Sequence, residues 1–218
     1  MSGQRTGLVS VRAVNLLSMR VLLVGATGTL GGAINAELGK RHDVVKASRT
    51  RADVLVDVTD RASIAAMYKR VGKVDAVVSA IGDAHFGPLV KTTYDEFMIG
   101  VKSKLMGQVD LVLQGFDYVT DGGSFTLTSG ITERDPVRGL TNSATVNAAL
   151  GGFVLGASIE MPRGQRINVV SAGLFAEAAE KYGSYFPGHV PVPVAVVAVA
   201  FAKSVEGGIT GQKIIVDR

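Results

Sequence analysis

Short apolar runs alternate along this chain with helix-length stretches of mixed or small residues, nearly from end to end. The runs place strands near residues 20–24, 43–47, 53–56, 74–79, 122–128, 166–171 and 212–216, with helices between most of them. Strands separated by helices need crossover connections, so the alternation predicts a parallel sheet covered on both faces. The runs from Val74 to Ile81 and from Ile167 to Val170 are Val/Ile-rich, as strands buried on both sides are. Local signals agree with these boundaries. Thr93 followed by Glu96 makes a capping box that opens a helix running to about Gln114, and Pro193 stands where the first turn of the last helix begins. No internal repeat interrupts the pattern.

The first strand is the most specific element. Val21-Leu22-Leu23-Val24 runs into Gly25-Ala26-Thr27-Gly28-Thr29-Leu30-Gly31, three glycines spaced by three, and then into a helical pattern. Gly25 lets the chain leave the strand in a tight turn, Gly28 lets backbone N–H groups approach a diphosphate, and Gly31 lets the helix lie close to the sheet. The helix N-terminus adds oriented donors and a partial positive charge. A strand before and a helix after are the context in which such a triplet binds a dinucleotide, with Thr27, Thr29 and Leu30 completing the cradle. The fold class that follows is α/β: a single Rossmann-type, doubly wound parallel sheet of about seven strands with helices on both faces.

Coenzyme choice in such a fold depends on the end of the second strand, about twenty residues past the glycines. Here the chain reads Lys46-Ala47-Ser48-Arg49-Thr50-Arg51, with no acid to accept a ribose 2′-hydroxyl. Arg49 can fork onto a 2′-phosphate and Ser48 can add a hydroxyl, so NADP is expected over NAD.

Composition narrows the partners. With 218 residues and 47% hydrophobic content the chain has room for one α/β domain. The net charge of +4 falls to +2 once Arg5 and Arg12 of the N-terminal segment are removed, which argues against a nucleic-acid surface. Three scattered histidines (His42, His85, His189) and no cysteine leave no ligand set for zinc or an iron–sulfur cluster, and no disulfide. Residues 1–18 are basic and acid-free, with apolar residues interrupted by Arg12 and Asn15, so they make neither a signal-peptide core nor a membrane span. They are expected to be a flexible extension, a transit peptide being the alternative, with the folded domain over 19–218 and a cytoplasmic location.

Two further stretches lie where strand ends open onto the coenzyme crevice: Asp57-Val58-Thr59-Asp60 and Ser79-Ala80-Ile81-Gly82. In order with Gly25 to Gly31, with Glu160 and Arg166-Ile167-Asn168, with Ala172-Gly173 and with Ile209-Thr210-Gly211-Gln212 before Val216-Asp217, they resemble the short-chain dehydrogenase/reductase superfamily over essentially residues 20–217. The resemblance implies an NAD(P)(H)-dependent oxidoreductase acting on a small carbonyl or alcohol. It places Asp57 and Val58 on the adenine side and Ser79 to Gly82, Ala172 and Gly173 along the coenzyme.

The family's active site is where this chain departs. Members typically carry a Ser after the fifth strand, a Tyr about thirteen residues later, a Lys four beyond it, and often an Asn on the preceding long helix. Ser129 fits the first position, but the same spacing puts Asn142 at the Tyr position, Val146 at the Lys position and Lys102 on or near the Asn position. Asn142 donates hydrogen bonds without exchanging a proton near neutral pH, and loss of a general acid costs about 10²–10⁴ in rate. Lys102 is a candidate for restoring a charge. Tyr182 and Tyr185 lie where the family's substrate-covering loop falls, and His189 offers a proton donor in the same segment.

The chain thus resembles a subgroup that keeps the glycine motif and lacks the usual catalytic pair, and two readings stand. One is an oxidoreductase with an atypical active site in which Ser129 polarises a carbonyl. The other is a non-catalytic NADP(H)-binding sensor or regulatory protein. Small residues between Asn142 and Met161, among them Ala148, Gly152 and Gly156, suit close helix approach, and the resemblance implies a homodimer or homotetramer formed through this helix and the one carrying Lys102.

Overall fold

The computed structural model describes residues 18–217. The extension expected over residues 1–18 lies almost wholly outside them. Seven strands form one sheet: β1 (Arg20–Val24), β2 (Asp43–Ser48), β3 (Val54–Leu55), β4 (Val74–Ser79), β5 (Val119–Gly130), β6 (Arg166–Ala172) and β7 (Lys213–Val216). Their order is β3-β2-β1-β4-β5-β6-β7, and every pairing is parallel. The expected seven-stranded, doubly wound sheet is therefore present.

Alternation along β1 shows how the two faces are filled. Leu22 and Val24 enter one apolar cluster and Val21 and Leu23 the other, because successive side chains point to opposite faces. The first cluster packs α2 (Arg61–Val71) through Ile64 and Met67, α4 (Gly107–Gly115) through Leu111 and α5 (Thr141–Ala157) through Leu150. The second packs α1 (Thr29–Leu38) through Ile34 and α7 (Val194–Glu206) through Phe201. Between them, α3 (Tyr94–Gly100) runs into α4, and the four-residue α6 (Ala179–Tyr182) lies in the segment before α7.

Strand order reverses between β1 and β4. Chain connections leave this point in opposite directions, so the carboxyl ends of the strands part there and open a crevice. Among the described residues no helix is long and apolar enough to cross a membrane.

Two local features set the crevice walls. The capping box forms as the sequence predicts: the Glu96 N–H donates to Thr93 Oγ1 at 3.3 Å and the Thr93 N–H donates to Glu96 Oε2 at 2.8 Å. Between α3 and α4, Val101–Met106 winds as a π-helix, with the Gly107 N–H reaching the Lys102 carbonyl. Gly100 and Gly107 flank this wide turn and let it sit close to its neighbours: a Cβ at Gly100 would lie 2.2 Å from Asn142 Oδ1, and one at Gly107 would lie 3.1 Å from Val58.

Candidate active site

The glycine turn does three different jobs. Gly25 has φ +88°, and a Cβ there would meet the Ala80 carbonyl oxygen at 2.5 Å. Gly31 has no room for a side chain, since its Cβ would lie 2.1 Å from the Gly25 carbonyl oxygen. Gly28 is different: its Cβ would make only an ordinary 3.6 Å contact, so nothing in the protein itself requires glycine there.

Gly28 occupies the N-cap of α1 with no side-chain cap and no acidic residue in the first turn. The N–H groups of Thr29, Leu30 and Gly31, which precede the first intrahelical bond, have no hydrogen-bond acceptor among the described residues. A diphosphate fits such a terminus.

This terminus opens into a crevice of about 410 Å³ that runs past Ala80, Ile81 and Gly82 to Ser129 and on to Ala172 and Gly173. Ser79 is buried behind it, and Thr27 lies exposed at the tip of the turn. At the end of β2, Ser48 is buried with an unpartnered Oγ, and the exposed Arg49 guanidinium stands 3.7 Å from Asp83. Asp57 accepts both the Thr59 N–H and the Thr59 hydroxyl, which hold its carboxyl below the usual range. Val58 packs against Gly107.

Polar atoms left unpaired inside this frame test the fit of a nicotinamide dinucleotide. Ser48 Oγ, Ser79 Oγ and Asn147 Oδ1 are buried with no protein partner. Of the three, Asn147 lines the crevice; buried polar groups are almost always hydrogen-bonded, so its Oδ1 is an acceptor that suits a hydroxyl or amide of the kind a dinucleotide carries.

The far end of the crevice corrects the expected active-site register. Asn142 does not face it: the side chain accepts from the His85 N–H at 2.9 Å and donates to the Phe97 carbonyl at 2.7 Å, under Gly100. Val146 is fully buried in the core. Their successors Ser143 and Asn147, one helical turn apart on the next stripe of α5, line the crevice instead. Asn147 Nδ2 donates to Thr132 Oγ1 at 2.9 Å and to Ser143 Oγ at 3.2 Å, tying three polar side chains into one cluster. Ser129 also lines the crevice, but its hydroxyl donates to the Asn147 carbonyl at 3.2 Å. A fixed thirteen-residue gap from Ser129 is thus one residue out of phase with the helix. Counted back from Ser143, the same gap lands on Gly130, where a Cβ would lie 3.0 Å from Asn147 Nδ2.

A second correction concerns the lysine. Lys102 is exposed and borders a separate hollow with Val58, Arg61 and Asp110, away from the crevice. The π-turn brings Lys104 into the crevice instead, half-buried and with its pKa lowered to about 8 by burial. Nothing in a 3.6-residue pattern marks that turn, so sequence reasoning missed this residue.

Aromatic side chains close the crevice. Tyr182 lines it with Phe86 and Phe186, and Phe86 makes edge-to-face contacts with Tyr182 at 5.7 Å and with Tyr185 at 5.8 Å. Tyr185 backs this wall without lining the cavity, and His189 pairs with Asp135 at 3.1 Å behind it. The segment is tethered to α7, because the Glu177 carboxylate accepts the Val194 N–H at 3.0 Å.

Comparison with known proteins agrees with this geometry. The protein lin1944 from Listeria innocua has a crystal structure that is 48% identical, covers 91% of this chain and 100% of its own, and superposes with a TM-score of 0.90. A small-chain dehydrogenase solved in complex with NADPH is 25% identical over 92% of this chain and 97% of its own, with a TM-score of 0.81. BdcA in complex with NADPH, at 21% identity over 93% of this chain and 94% of its own, shares the fold with a TM-score of 0.82. No curated protein matches the chain significantly. The family model described as enoyl-(acyl carrier protein) reductase matches residues 30–218. That match begins at the end of the glycine turn and takes in β2 to β7 with the crevice residues from Leu30 onward, so the chain belongs to this family of the short-chain dehydrogenase/reductase superfamily.

Proposed function

We propose that this chain is an NADP(H)-dependent oxidoreductase for a small carbonyl or alcohol, working with an atypical polar cluster in place of the superfamily's Tyr–Lys pair. The observation that carries the reading is a shared cavity: the unpaired N–H groups of α1 and the Thr132–Ser143–Asn147 cluster open into the same crevice. In this assignment the α1 terminus binds the diphosphate, while Ser48 and Arg49 bind a 2′-phosphate at the end of β2. When bound, the nicotinamide ring supplies or accepts the hydride. Ser143, whose Oγ accepts from Asn147 Nδ2, then donates its hydroxyl to a carbonyl oxygen, and Phe86, Tyr182 and Phe186 keep water from the reacting face. The NADPH complex of the 25%-identical dehydrogenase supports the coenzyme assignment.

The test is a screen of aldehydes, ketones and quinones that follows loss of NADPH absorbance. Ser143→Ala is expected to lower kcat by about 10²-fold while leaving NADPH affinity within about twofold. The sensor reading is favoured by one observation: Thr132, Ser143 and Asn147 carry no group that titrates near neutral pH. Tight NADPH binding without turnover across the screen decides for the sensor.

A further inference from the structure

Among the described residues, Lys104 alone brings a charged side chain to the lining of the crevice. Its stem lies flat on the turn after β4: a Cβ at Gly82, which has φ +138°, would lie 2.4 Å from Lys104 Cγ and 3.0 Å from Cδ. Glycine at 82 is what lets the lysine pass. The backbone that carries the side chain is held by Gln108, whose Nε2 donates to the Lys104 and Thr128 carbonyls at 2.9 Å each and whose Oε1 accepts the Thr128 N–H at 2.8 Å. Gln108 is fully buried, so this anchor is part of the core.

The ammonium has been given a rigid support and no protein partner. Among the described residues no carboxylate lies within ion-pair distance of it and no acceptor is hydrogen-bonded to it. Asp83, beside Gly82, is the nearest acidic influence, and it stands 3.7 Å from Arg49. From α5 the crevice receives only Ser143 and Asn147, from β5 only Thr128, Ser129 and Gly130, and from the segment before α7 the titratable Tyr182. Lys102 on the same turn is exposed elsewhere. A half-buried ammonium without a partner costs stability, a cost that a bound ligand repays.

Its position names the ligand group. On one side Gly82 continues the Ala80 backbone that packs on Gly25, next to the diphosphate cradle. On the other, Thr128 leads into Ser129 and the polar cluster. Resting on the coenzyme reading above, we propose that Lys104 is a coenzyme-binding residue whose ammonium, presented by the π-turn, donates to the hydroxyls of the nicotinamide-side ribose.

The test is calorimetric titration of the full chain with two probes. One is NADPH and the other is adenosine 2′,5′-bisphosphate, which lacks the nicotinamide-side ribose. At pH 7, Lys104→Met is expected to weaken NADPH by about tenfold or more and to leave the bisphosphate within about twofold. Wild-type affinity for NADPH is expected to fall several-fold between about pH 7 and about pH 9.5 as the ammonium loses its proton, while Lys104→Arg, charged throughout, keeps its affinity. Unchanged NADPH binding in Lys104→Met, or an equal loss for both probes, overturns the assignment and leaves the coenzyme reading standing. Failure of the wild-type chain to bind either probe removes the coenzyme reading, and this assignment with it.

Discussion

Gly28 and Gly31 stand three residues apart and answer to different demands, one set by the ligand and one by the protein. A methyl at Gly31 collides with the Gly25 carbonyl at 2.1 Å, so Gly31→Ala is expected to lower stability by about 1–3 kcal/mol, read as a lower urea midpoint. A methyl at Gly28 meets no such obstacle, and its φ of −80° is open to alanine. Gly28→Ala is therefore expected to leave the urea midpoint unchanged and to weaken NADPH. At the end of β2, Arg49→Ala is expected to weaken NADPH by about tenfold and NADH by less than about twofold, since only the former carries a 2′-phosphate. Equal losses for both would remove the role given to Arg49. Lys104 carries a stability signature of its own. Its folded pKa of about 8 lies below the ordinary 10.5, so the unfolded chain binds the extra proton between those values and stability contributed by this group rises with pH across that window. At pH 7 the charged side chain costs stability, and Lys104→Met is expected to raise Tm there, with the difference shrinking above about pH 10.5.

At the scale of elements, the capping box, the strands and the last helix are set by neighbours in sequence, and these are the features that were legible there. Thr93→Ala removes a reciprocal pair of bonds at the start of α3 and is expected to cost about 1 kcal/mol in chemical denaturation. All seven strands lie within a few residues of their expected positions because each apolar run is bounded by turn or helix signals. Pro193 falls one residue earlier than expected, at the N-cap of α7, where Glu177 from a distant segment completes the cap. The active-site register was not legible for a comparable reason. Whether Asn142 or Ser143 faces the crevice depends on where α5 docks against α3, and that docking is fixed by the fit of the Asn142 amide under Gly100 rather than by any count from Ser129. The π-turn acts the same way on α3 and α4, since one extra residue per turn presents Lys104 where a regular helix would not. Both errors concern the rotation of a helix about its axis, which tertiary contacts decide.

For the molecule as a whole, the two faces of the sheet are filled by separate apolar clusters, yet α5 keeps an apolar stripe outside both. On α5 Leu155 is 67% exposed, just past its end Ile159 is 86% exposed, and a Cβ at Gly152 or Gly156 would meet nothing within 4 Å. Small residues unneeded by packing within the chain, beside exposed apolar ones, support a homodimer or homotetramer formed through this helix. Light scattering coupled to gel filtration is expected to give twice or four times the 22.7 kDa of one chain, and Gly156→Arg is expected to shift that mass downward. A monomer for the wild-type chain would contradict this assembly. Calorimetric titration of the purified chain with NADPH decides whether the α1 terminus and its crevice hold a nicotinamide dinucleotide. Saturable binding at one site per chain, tighter for NADPH than for NADH, is expected; no heat and no saturation with either reduced coenzyme at millimolar concentration would overturn the assignment.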